Sequence, residues 1–553
     1  MKVRYFNFIL FTFLIFTTST CRFKANAQTK LKYKWFFCFG YGRNERDVKR
    51  IKELVKVAGK SGLNGMVLSS FGLDRVGKWK KKDFALFEEV KKTCENNNIE
   101  LIPIGFSVGY GSGALSFDRN FAAALPACFH LICKSGRLVP IPGPNLIKNG
   151  DLEEYKGNRF KYYAFHDRPG VVSFVDKIHY SGKHSIRFEN FGRFKHGHGR
   201  IMQKVSVKPG FSYRLEFAIK TKNLDPVGGL KAMIYSNGRT LASTAIKIKP
   251  TNDWERIKLD FLNQDKDEVL IYIGIWKGRK GIFWIDNIKF YEYGDLKDIV
   301  RRDGTPLKII GRNGSIIYKE GRDFMPVKCS KQNKPIVLPP STRIKEGEKV
   351  EIHCYKIPFV AHSWGKQISL CMSYPKLYEH WRRQAIKLYR ILKFKHFLLS
   401  MDEIRNGGGC LLCKKSRKTM AQILGDCIKK QRAILKSLDP SIEVLIWSDM
   451  LDPNHNAHAN YYGVVGDFTG SWKYVPKDII IVCWYHKIRE KSLSFFSSKG
   501  FRTMGACYYD SKDLKNSREW LESLLHTKGA VGIMYTSWRK QYKLLKAFGE
   551  MLK

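Results

Sequence analysis

Short apolar runs alternate with amphipathic stretches near the start of the chain. Residues 36–40, 64–69 and 99–106 are apolar runs of strand length. Residues 47–58 and 84–94 between them place apolar side chains at helical spacing. Short apolar strands that alternate with amphipathic helices are typical of a parallel sheet.

The same alternation returns in the last third of the chain. Pro375 suits the first turn of a helix. Further strands are predicted at 397–401, 443–447, 479–484, 502–507 and 531–535, and further helices at 418–435, 490–498, 514–525 and 542–552. Three strands in the first segment and five in the second add up to eight, which predicts a (β/α)8 TIM barrel. We assign residues 32–111 and 370–553 to its two parts.

The chain between these segments has no helical periodicity. Tyr213, Leu215, Phe217 and Ile219 alternate with more polar residues, as in a half-buried strand. Residues 145–293 are therefore predicted to form an all-β sandwich of jelly-roll type. Residues 294–365 are predicted to form a small β-rich connector. The predicted fold is thus an α/β barrel that a jelly-roll domain interrupts after strand 3.

The N-terminus has the pattern of an export signal. Lys2 and Arg4 precede an apolar core, and Ala25-Asn26-Ala27 offers a cleavage site. Residues 1–27 are therefore predicted to be a signal peptide, and no later segment predicts a transmembrane helix. Export to the periplasm, the cell surface or the medium is expected. Lipidation of Cys21 is an alternative.

Charge separates this chain from an average globular protein. With 98 basic and 50 acidic residues among 553, the formal net charge is +48. Such a field attracts anionic polymers, among them acidic polysaccharides. The excess is spread along the chain, so the sequence favours a general lysine bias, with an acidic partner as the alternative. The sequence contains no common nucleic-acid-binding motif, and no nucleic-acid partner is predicted.

Cys410 and Cys413 have the spacing of metal ligands. A zinc site needs more ligands, and no second CxxC or HxxxH motif follows. The sequence therefore favours a local disulfide or free thiols, and no metal or cofactor is predicted.

The candidate chemistry lies at the end of the fourth strand. The apolar run 397–401 ends in two adjacent carboxylates, Asp402 and Glu403. Catalytic groups of barrel enzymes lie at the carboxyl ends of the strands, and paired carboxylates suit acid/base work on a glycoside. Neighbouring strand residues point to opposite faces, so both reach one cleft only if the strand ends or bulges there. The alternative for Glu403 is a salt bridge with Arg405 or a lysine.

Aromatic and acidic residues recur at the other strand ends. Candidate substrate-binding residues are Arg43, Tyr110, Trp447, Asp449, Trp484, Tyr485, His486, Tyr508, Asp510 and Trp538. Aromatic faces stack on sugar rings and carboxylates bind hydroxyls, so this composition indicates a carbohydrate cleft. Each residue has a structural alternative: a tryptophan packs at the barrel rim, Asp449 caps a helix, and His486 is an ordinary surface histidine.

These strand ends resemble those of the family 20 glycoside hydrolases, the β-N-acetylhexosaminidases, and more closely an uncharacterised bacterial branch beside them. The resemblance rests on the Asp402-Glu403 pair, the strand-end tryptophans and Arg43. It implies that Glu403 is the general acid/base and that Asp402 orients the substrate's 2-acetamido group. In such a mechanism this group of the substrate, and not a protein carboxylate, attacks the anomeric carbon. It also implies that Arg43 holds sugar hydroxyls and that a tyrosine such as Tyr485 or Tyr508 supports the acetamide.

The sequence departs from this family at two places. Leu399-Ser400-Met401 replaces the usual His-x-Gly-Gly before the acidic pair, and Arg539 follows Trp538 where an acid is common. The β insertion separately resembles galactose-binding-like carbohydrate-binding modules, through Asn149-Gly150-Asp151 and the closing strand at 284–288.

The sequence thus predicts an exported, retaining, substrate-assisted glycosidase of the β-N-acetylhexosaminidase type with a carbohydrate substrate. Two alternatives stay open. One is a glycosidase that pairs Glu403 with Asp449 or Asp510. The other is a glycan-binding surface protein without activity on a degenerate barrel.

Overall fold

The computed structural model describes residues 31–69, 71–311, 314–362 and 365–553. The predicted signal peptide and Cys21 lie outside these ranges. Within them, no helix has both the length and the apolar character needed to cross a bilayer.

Eight parallel strands of the described chain close into a barrel, and each pairs with the neighbours that the sequence predicts. The strands are Tyr33–Cys38, Gly65–Leu68, Glu100–Gly105, His396–Leu399, Glu443–Trp447, Ile480–Cys483, Thr503–Tyr508 and Ala530–Thr536. The first strand pairs with the eighth, and the third pairs with the fourth across the long insertion. The predicted eight-stranded parallel barrel is confirmed, and its strands are below called barrel strands 1 to 8.

Helices cover most of the outside of the barrel. They are Glu45–Lys60, Lys81–Glu95, Pro375–Leu392, Met420–Lys436, Arg489–Ser498, Lys515–Leu525 and Leu545–Met551, with two short helices at Ser112–Leu115 and Leu411–Lys415. Thr419 caps the helix that follows strand 4 by a reciprocal capping box with Gln422. Between strands 5 and 6 the described chain has the short strand Gly463–Val464 and a 3-10 turn at Ser471–Tyr474, but no α-helix.

Large side chains fill the barrel interior. Alternate residues of each strand point inward, and Trp35, Phe37, Leu445 and Met504 belong to this core. Burial of one such side chain contributes about 1.5–3 kcal/mol. Phe39, Trp447, Trp484 and Trp538 belong to the same interior cluster, and the tryptophans lie at or just past the carboxyl ends of their strands.

The predicted sandwich consists of two five-stranded antiparallel sheets. One sheet contains Ser173–Asp176, Ser185–Phe188, Ser212–Asp225, Asn252–Leu262 and Lys280–Glu292; the other contains Phe165–His166, Gly199–Ser206, Leu230–Ser236, Arg239–Ala245 and Glu268–Ile275. Their inner faces share a separate hydrophobic core that includes Phe188, Phe217, Ile273 and Phe283.

The sandwich is inserted between the strands of a six-stranded antiparallel sheet of the described chain. The strands of this sheet are Leu125–Lys134, Arg137–Pro140, Lys308–Gly311, Ile317–Tyr318, Ile336–Val337 and Lys349–Lys356. The first two precede the sandwich, so the β-rich segment expected at 294–365 is completed by strands from before residue 145. The sandwich is therefore an insertion within an insertion. Two-stranded sheets in the described chain pair Tyr155–Lys156 with Arg159–Phe160, Val360–His362 with Gly365–Gln367, and Asn406–Gly407 with Gly463–Val464.

Candidate active site at the carboxyl end of the barrel

The fourth barrel strand stops before the acidic pair. The strand ends at Leu399, and Glu403 has a left-handed backbone with φ of 47°. This break in the extended chain removes the alternation that would send Asp402 and Glu403 to opposite faces. Gly109, in the loop after strand 3, permits the turn, because a Cβ atom there would lie 2.0 Å from the carbonyl oxygen of Asp402.

Asp449 ties the pair to the end of strand 5. Its Oδ2 accepts hydrogen bonds from the backbone N–H of Glu403 (2.9 Å) and from Nδ2 of Asn456 (2.8 Å). Its Oδ1 accepts a bond of 3.3 Å from the indole N–H of Trp484, which follows strand 6. The carboxylate is fully buried. Asp449 therefore holds together the ends of three neighbouring strands and does not cap a helix.

Both oxygens of Glu403 have protein partners. Oε1 forms an ion pair of 2.8 Å with the guanidinium of Arg405, and Oε2 accepts a hydrogen bond from the hydroxyl of Tyr110. This salt bridge with Arg405 is the one that the sequence predicts as the alternative role of Glu403. Gln367 supports this arrangement, because it accepts from Arg405 and donates to the backbone oxygen of Glu403. The Glu403 side chain is 23% exposed to solvent, so a ligand still has access to it.

The pKa of Asp402 is raised toward neutral pH. Partial removal from water, followed by the negative charges of Asp449 and Glu403, raises its pKa to about 7. Burial likewise raises the pKa of Asp449. Ser400 donates a hydrogen bond of 3.0 Å to Asp402 Oδ1. Asp402 therefore retains a proton at pH values where an isolated aspartate would not.

Three aromatic side chains lie next to these acids. The rings of Trp484 and Tyr509 are parallel within 7°, with centroids 5.9 Å apart. Tyr509 also contacts Trp538, at 6.3 Å. Trp447 lies deeper, with its ring against Phe37 at 5.8 Å. Because Trp484 donates to Asp449, this aromatic surface adjoins the acidic pair, and Tyr509 is exposed on it.

The remaining candidates lie farther from the acids or have other partners. Arg43 pairs with Asp83 at 3.5 Å and covers Trp79. Tyr508 is buried with its ring stacked on another tyrosine. His486 pairs with a glutamate at 2.9 Å on the outer helices.

Tyr485 is exposed, and its ring stacks on His455 at 4.9 Å. Asp510 accepts hydrogen bonds from the Ser537 hydroxyl (2.6 Å) and the Trp538 backbone (2.9 Å), so it orders the loop after strand 8.

The site also contains residues that the sequence did not single out. His455 packs on Trp484 at 4.6 Å, and burial lowers its pKa. Tyr462 lies over the guanidinium of Arg405 at 4.8 Å. Gln367 reaches the site from the end of the β insertion. The sequence contains a sign of Tyr509, which lies in an aromatic strand end. His455 and Tyr462 lie in loops and Gln367 ends a short strand, and the sequence does not reveal the course of these segments.

A cavity of about 470 Å³ lies beside the site, between the barrel and the inserted β-sheets. Tyr462, Asn406 and Gly463 line it on the barrel side, and Asp260 and Lys356 line it on the side of the insertion. Asp402, Glu403 and Asp449 are not among its lining residues. Tyr462 belongs both to this cavity and to the cover of Arg405, so the cavity adjoins the acidic pair without containing it.

Two groups of described side chains have the geometry of metal ligands, and neither contains Asp402 or Glu403. They are Cys371 with Cys410 and Cys413, and Cys128 with Glu351 and His353. The Sγ atoms of Cys410 and Cys413 are 3.6 Å apart, so the pair is not a disulfide in this structure.

No family model and no curated protein matches this sequence. Among solved structures, the chain is similar to a rhamnosidase from Novosphingobium sp. PP1Y, with 8% identity over 93% of this chain and 56% of the other, at a TM-score of 0.34. A chitobiase from Flavobacterium johnsoniae aligns over 34% of this chain and 30% of its own, with 14% identity and a TM-score of 0.24. TmCBM61, solved in complex with β-1,4-galactotriose, aligns over 27% of this chain and 99% of its own, with 15% identity and a TM-score of 0.22. At these scores the similarities carry no argument about function.

Proposed function

We propose that this protein is a glycoside hydrolase in which Asp402 and Glu403 are the reacting carboxylates. The observation that carries the proposal is their position at the carboxyl end of the barrel, with Asp402 at a pKa of about 7 beside an exposed aromatic surface. Glycosidases need one carboxylic acid to protonate the leaving oxygen and one carboxylate to act on the sugar. Two acids in different environments meet this need.

The electrostatics favour Asp402 as the group that starts protonated. Arg405 lies 2.8 Å from Glu403 and forms an ion pair with it. Asp402 instead faces two negative neighbours. In the proposed mechanism Asp402 protonates the leaving oxygen as the glycosidic C–O bond breaks, and the carboxylate of Glu403 stabilises the positive charge that develops on the sugar. Water then adds to the anomeric carbon and returns a proton to Asp402. This assignment exchanges the roles that the resemblance to the hexosaminidases implies for the two residues.

The surroundings support a glycan as the substrate. Tyr509 and Trp484 offer aromatic faces, and the cavity of about 470 Å³ beside Arg405 falls within the size range of ligand sites. This cavity provides space for further sugar units. The net charge of +48 is compatible with an acidic polysaccharide.

The finer proposal is a substrate that carries a 2-acetamido group. It rests on the resemblance of the Asp402-Glu403 strand end to family 20, against which stand the altered lead into the pair and Arg539. In the alternative pairing Glu403 acts with another acid. Asp449, bonded to the Glu403 backbone, is better placed than Asp510, which is engaged by the loop after strand 8.

Asp402→Asn and Glu403→Gln test the proposal on a panel of aryl glycosides that includes 2-acetamido sugars. Loss of either carboxylate should lower kcat/KM by about 10²–10⁴-fold with a phenyl leaving group. A dinitrophenyl leaving group needs no proton, so it should restore activity only to the variant that lacks the proton donor. Glu490→Gln, whose side chain is 71% exposed on an outer helix, is the control. Activity of both variants within a few-fold of wild type would refute the proposal.

A second candidate function is glycan binding without turnover. The observation in its favour is that Arg405 and Tyr110 occupy both oxygens of Glu403. Glycan-array binding by the wild-type protein that survives in Glu403→Gln, together with no hydrolysis of any bound glycan, would favour this function over catalysis.

A further inference from the structure

Three buried cysteines from two distant segments meet beside the candidate active site. Cys371 lies where the β insertion returns to the barrel. Cys410 is the N-cap of the short helix Leu411–Lys415, and Cys413 lies within that helix. Their Sγ atoms are separated by 3.7 Å (371 to 410), 3.9 Å (371 to 413) and 3.6 Å (410 to 413). All three side chains are almost wholly buried.

We propose that these three thiolates bind one Zn²⁺ ion. A tetrahedral zinc with Zn–S bonds of about 2.3 Å separates its sulfur ligands by about 3.8 Å. The three measured distances lie within 0.2 Å of that edge length. One disulfide would join only two of these sulfurs, at about 2.05 Å, and the third cysteine would remain a free thiol. The equilateral arrangement therefore favours a shared ion.

The charge around the cluster suits this ion. Zinc with three thiolates carries one net negative charge, which would be costly to bury alone. The guanidinium of Arg302 lies 3.8 and 3.9 Å from Cys410 Sγ through its two terminal nitrogens. Arg302 is itself fixed by hydrogen bonds to the backbone oxygens of Asn120 and Ala122. Arg302 therefore lies where a cation can neutralise part of the negative charge of the thiolates and hold Cys410 in place.

The space at the cluster is closed. A cavity of about 10 Å³ touches all three cysteines, and Met420 and the backbone of Gly407 and Gly408 help to line it. That is about the space of one water, too little for a substrate. These features indicate a structural site and not a catalytic one.

The bound ion would join three parts of the molecule. Cys371 precedes the helix Pro375–Leu392, Cys410 and Cys413 continue the loop that carries Asp402 and Glu403, and Arg302 belongs to the β insertion. The ion would thus fix the active-site loop to the insertion. The inference does not depend on the proposed activity. The sequence alone does not connect Cys371 with the CxxC pair, because the two lie in separate segments.

Zinc content tests the proposal on the full chain. Protein purified under reducing conditions, dialysed with Zn²⁺ and then freed of excess metal should hold about one zinc per chain. Cys371→Ala should hold about one zinc fewer per chain than the wild-type protein, whereas Cys427→Ala, which removes a buried cysteine outside the cluster, should match the wild-type protein. Co²⁺ in place of Zn²⁺ should give the intense near-ultraviolet absorption of thiolate-bound cobalt.

Measurements on the wild-type protein cover the case in which Cys371→Ala does not fold. Removal of zinc by a chelator should lower Tm, and Zn²⁺ but not Mg²⁺ should restore it. Two results would overturn the proposal. One is a wild-type protein with no zinc and no cobalt–thiolate absorption after loading. The other is an intact mass two hydrogens lighter with a Cys410–Cys413 peptide link, which would establish a disulfide.

Discussion

The buried carboxylate of Asp449 accepts a hydrogen bond of 2.9 Å from the backbone N–H of Glu403. This bond connects the loop after strand 4 with the loop after strand 5. The same carboxylate is one of the two negative charges that raise the pKa of Asp402 to about 7. Asp449 therefore acts on both members of the acidic pair, on one through the backbone and on the other through charge.

Asp449→Asn should shift the pH dependence of activity. The amide keeps an oxygen that accepts from the Glu403 N–H but removes a negative charge beside Asp402. The pKa of Asp402 should then fall, because its charged form meets less repulsion. If protonated Asp402 is the acid, the alkaline limb of kcat/KM, near pH 7 in the wild-type protein, should move to lower pH.

Asp452→Asn provides the control for this shift. Asp452 is also buried in the loop after strand 5, but it is not among the main causes of the raised pKa of Asp402. Its variant should keep the wild-type alkaline limb. An unchanged limb in Asp449→Asn, with activity retained, would contradict the role of Asp449.

Gly109→Ala should damage activity more than global stability. The added Cβ would lie 2.0 Å from the carbonyl oxygen of Asp402 and 2.9 Å from that of Glu403, so the loop that carries both acids must move. A displacement of about 1 Å can cost about 10²-fold in rate. We expect at least a tenfold lower kcat/KM in aryl glycoside assays.

Gly228→Ala is the matched control, because nothing lies within 4 Å of a Cβ at that sandwich position. It should leave kcat/KM unchanged. If Gly109→Ala has full activity, the acids do not depend on this close approach.

The barrel was predictable because its strands are nearly continuous apolar runs that short loops connect to amphipathic helices. The six-stranded sheet into which the sandwich is inserted was only partly predictable. Leu125–Lys134 pairs with Lys349–Lys356 across more than two hundred residues, and no local pattern indicates such a partner. Asp402 and Glu403 stood out as acids at the end of an apolar run. Gln367 and Cys371 did not, since their roles depend on where the insertion returns to the barrel.

Tyr509→Ala should weaken substrate binding with little effect on folding. Its ring is exposed and parallel to Trp484, so its loss removes a stacking face but little buried area. Aromatic contacts of this kind contribute about 0.5–1.5 kcal/mol, which corresponds to a rise in KM of roughly two- to tenfold. Tyr508→Phe, one residue earlier and buried, should leave KM unchanged. Equal KM values for the two variants and the wild-type protein would remove Tyr509 from the binding surface.

Glu443→Gln should destabilise the opposite end of the barrel. Glu443, at the start of strand 5, accepts hydrogen bonds from Tyr33 and Arg502 and lies 3.1 Å from the His396 ring. Burial opposes its ionised form, but the bonds from Tyr33 and Arg502 outweigh that effect and lower its pKa to about 2. Because its side chain is 25% exposed, we expect a loss of only about 1–2 kcal/mol at pH 7.

The pH dependence of that loss follows from the direction of the shift. A carboxyl group whose folded pKa lies below its unfolded value of 4.5 stabilises the protein above pH 4.5, and this contribution disappears as the pH falls toward 2. The difference in unfolding free energy between wild type and Glu443→Gln should therefore be largest at neutral pH and shrink between pH 4.5 and 2. Urea titrations at several pH values measure it, with Glu490→Gln as the exposed control. A difference that stays constant down to pH 2 would show that the variant acts through packing and not through the charge of Glu443.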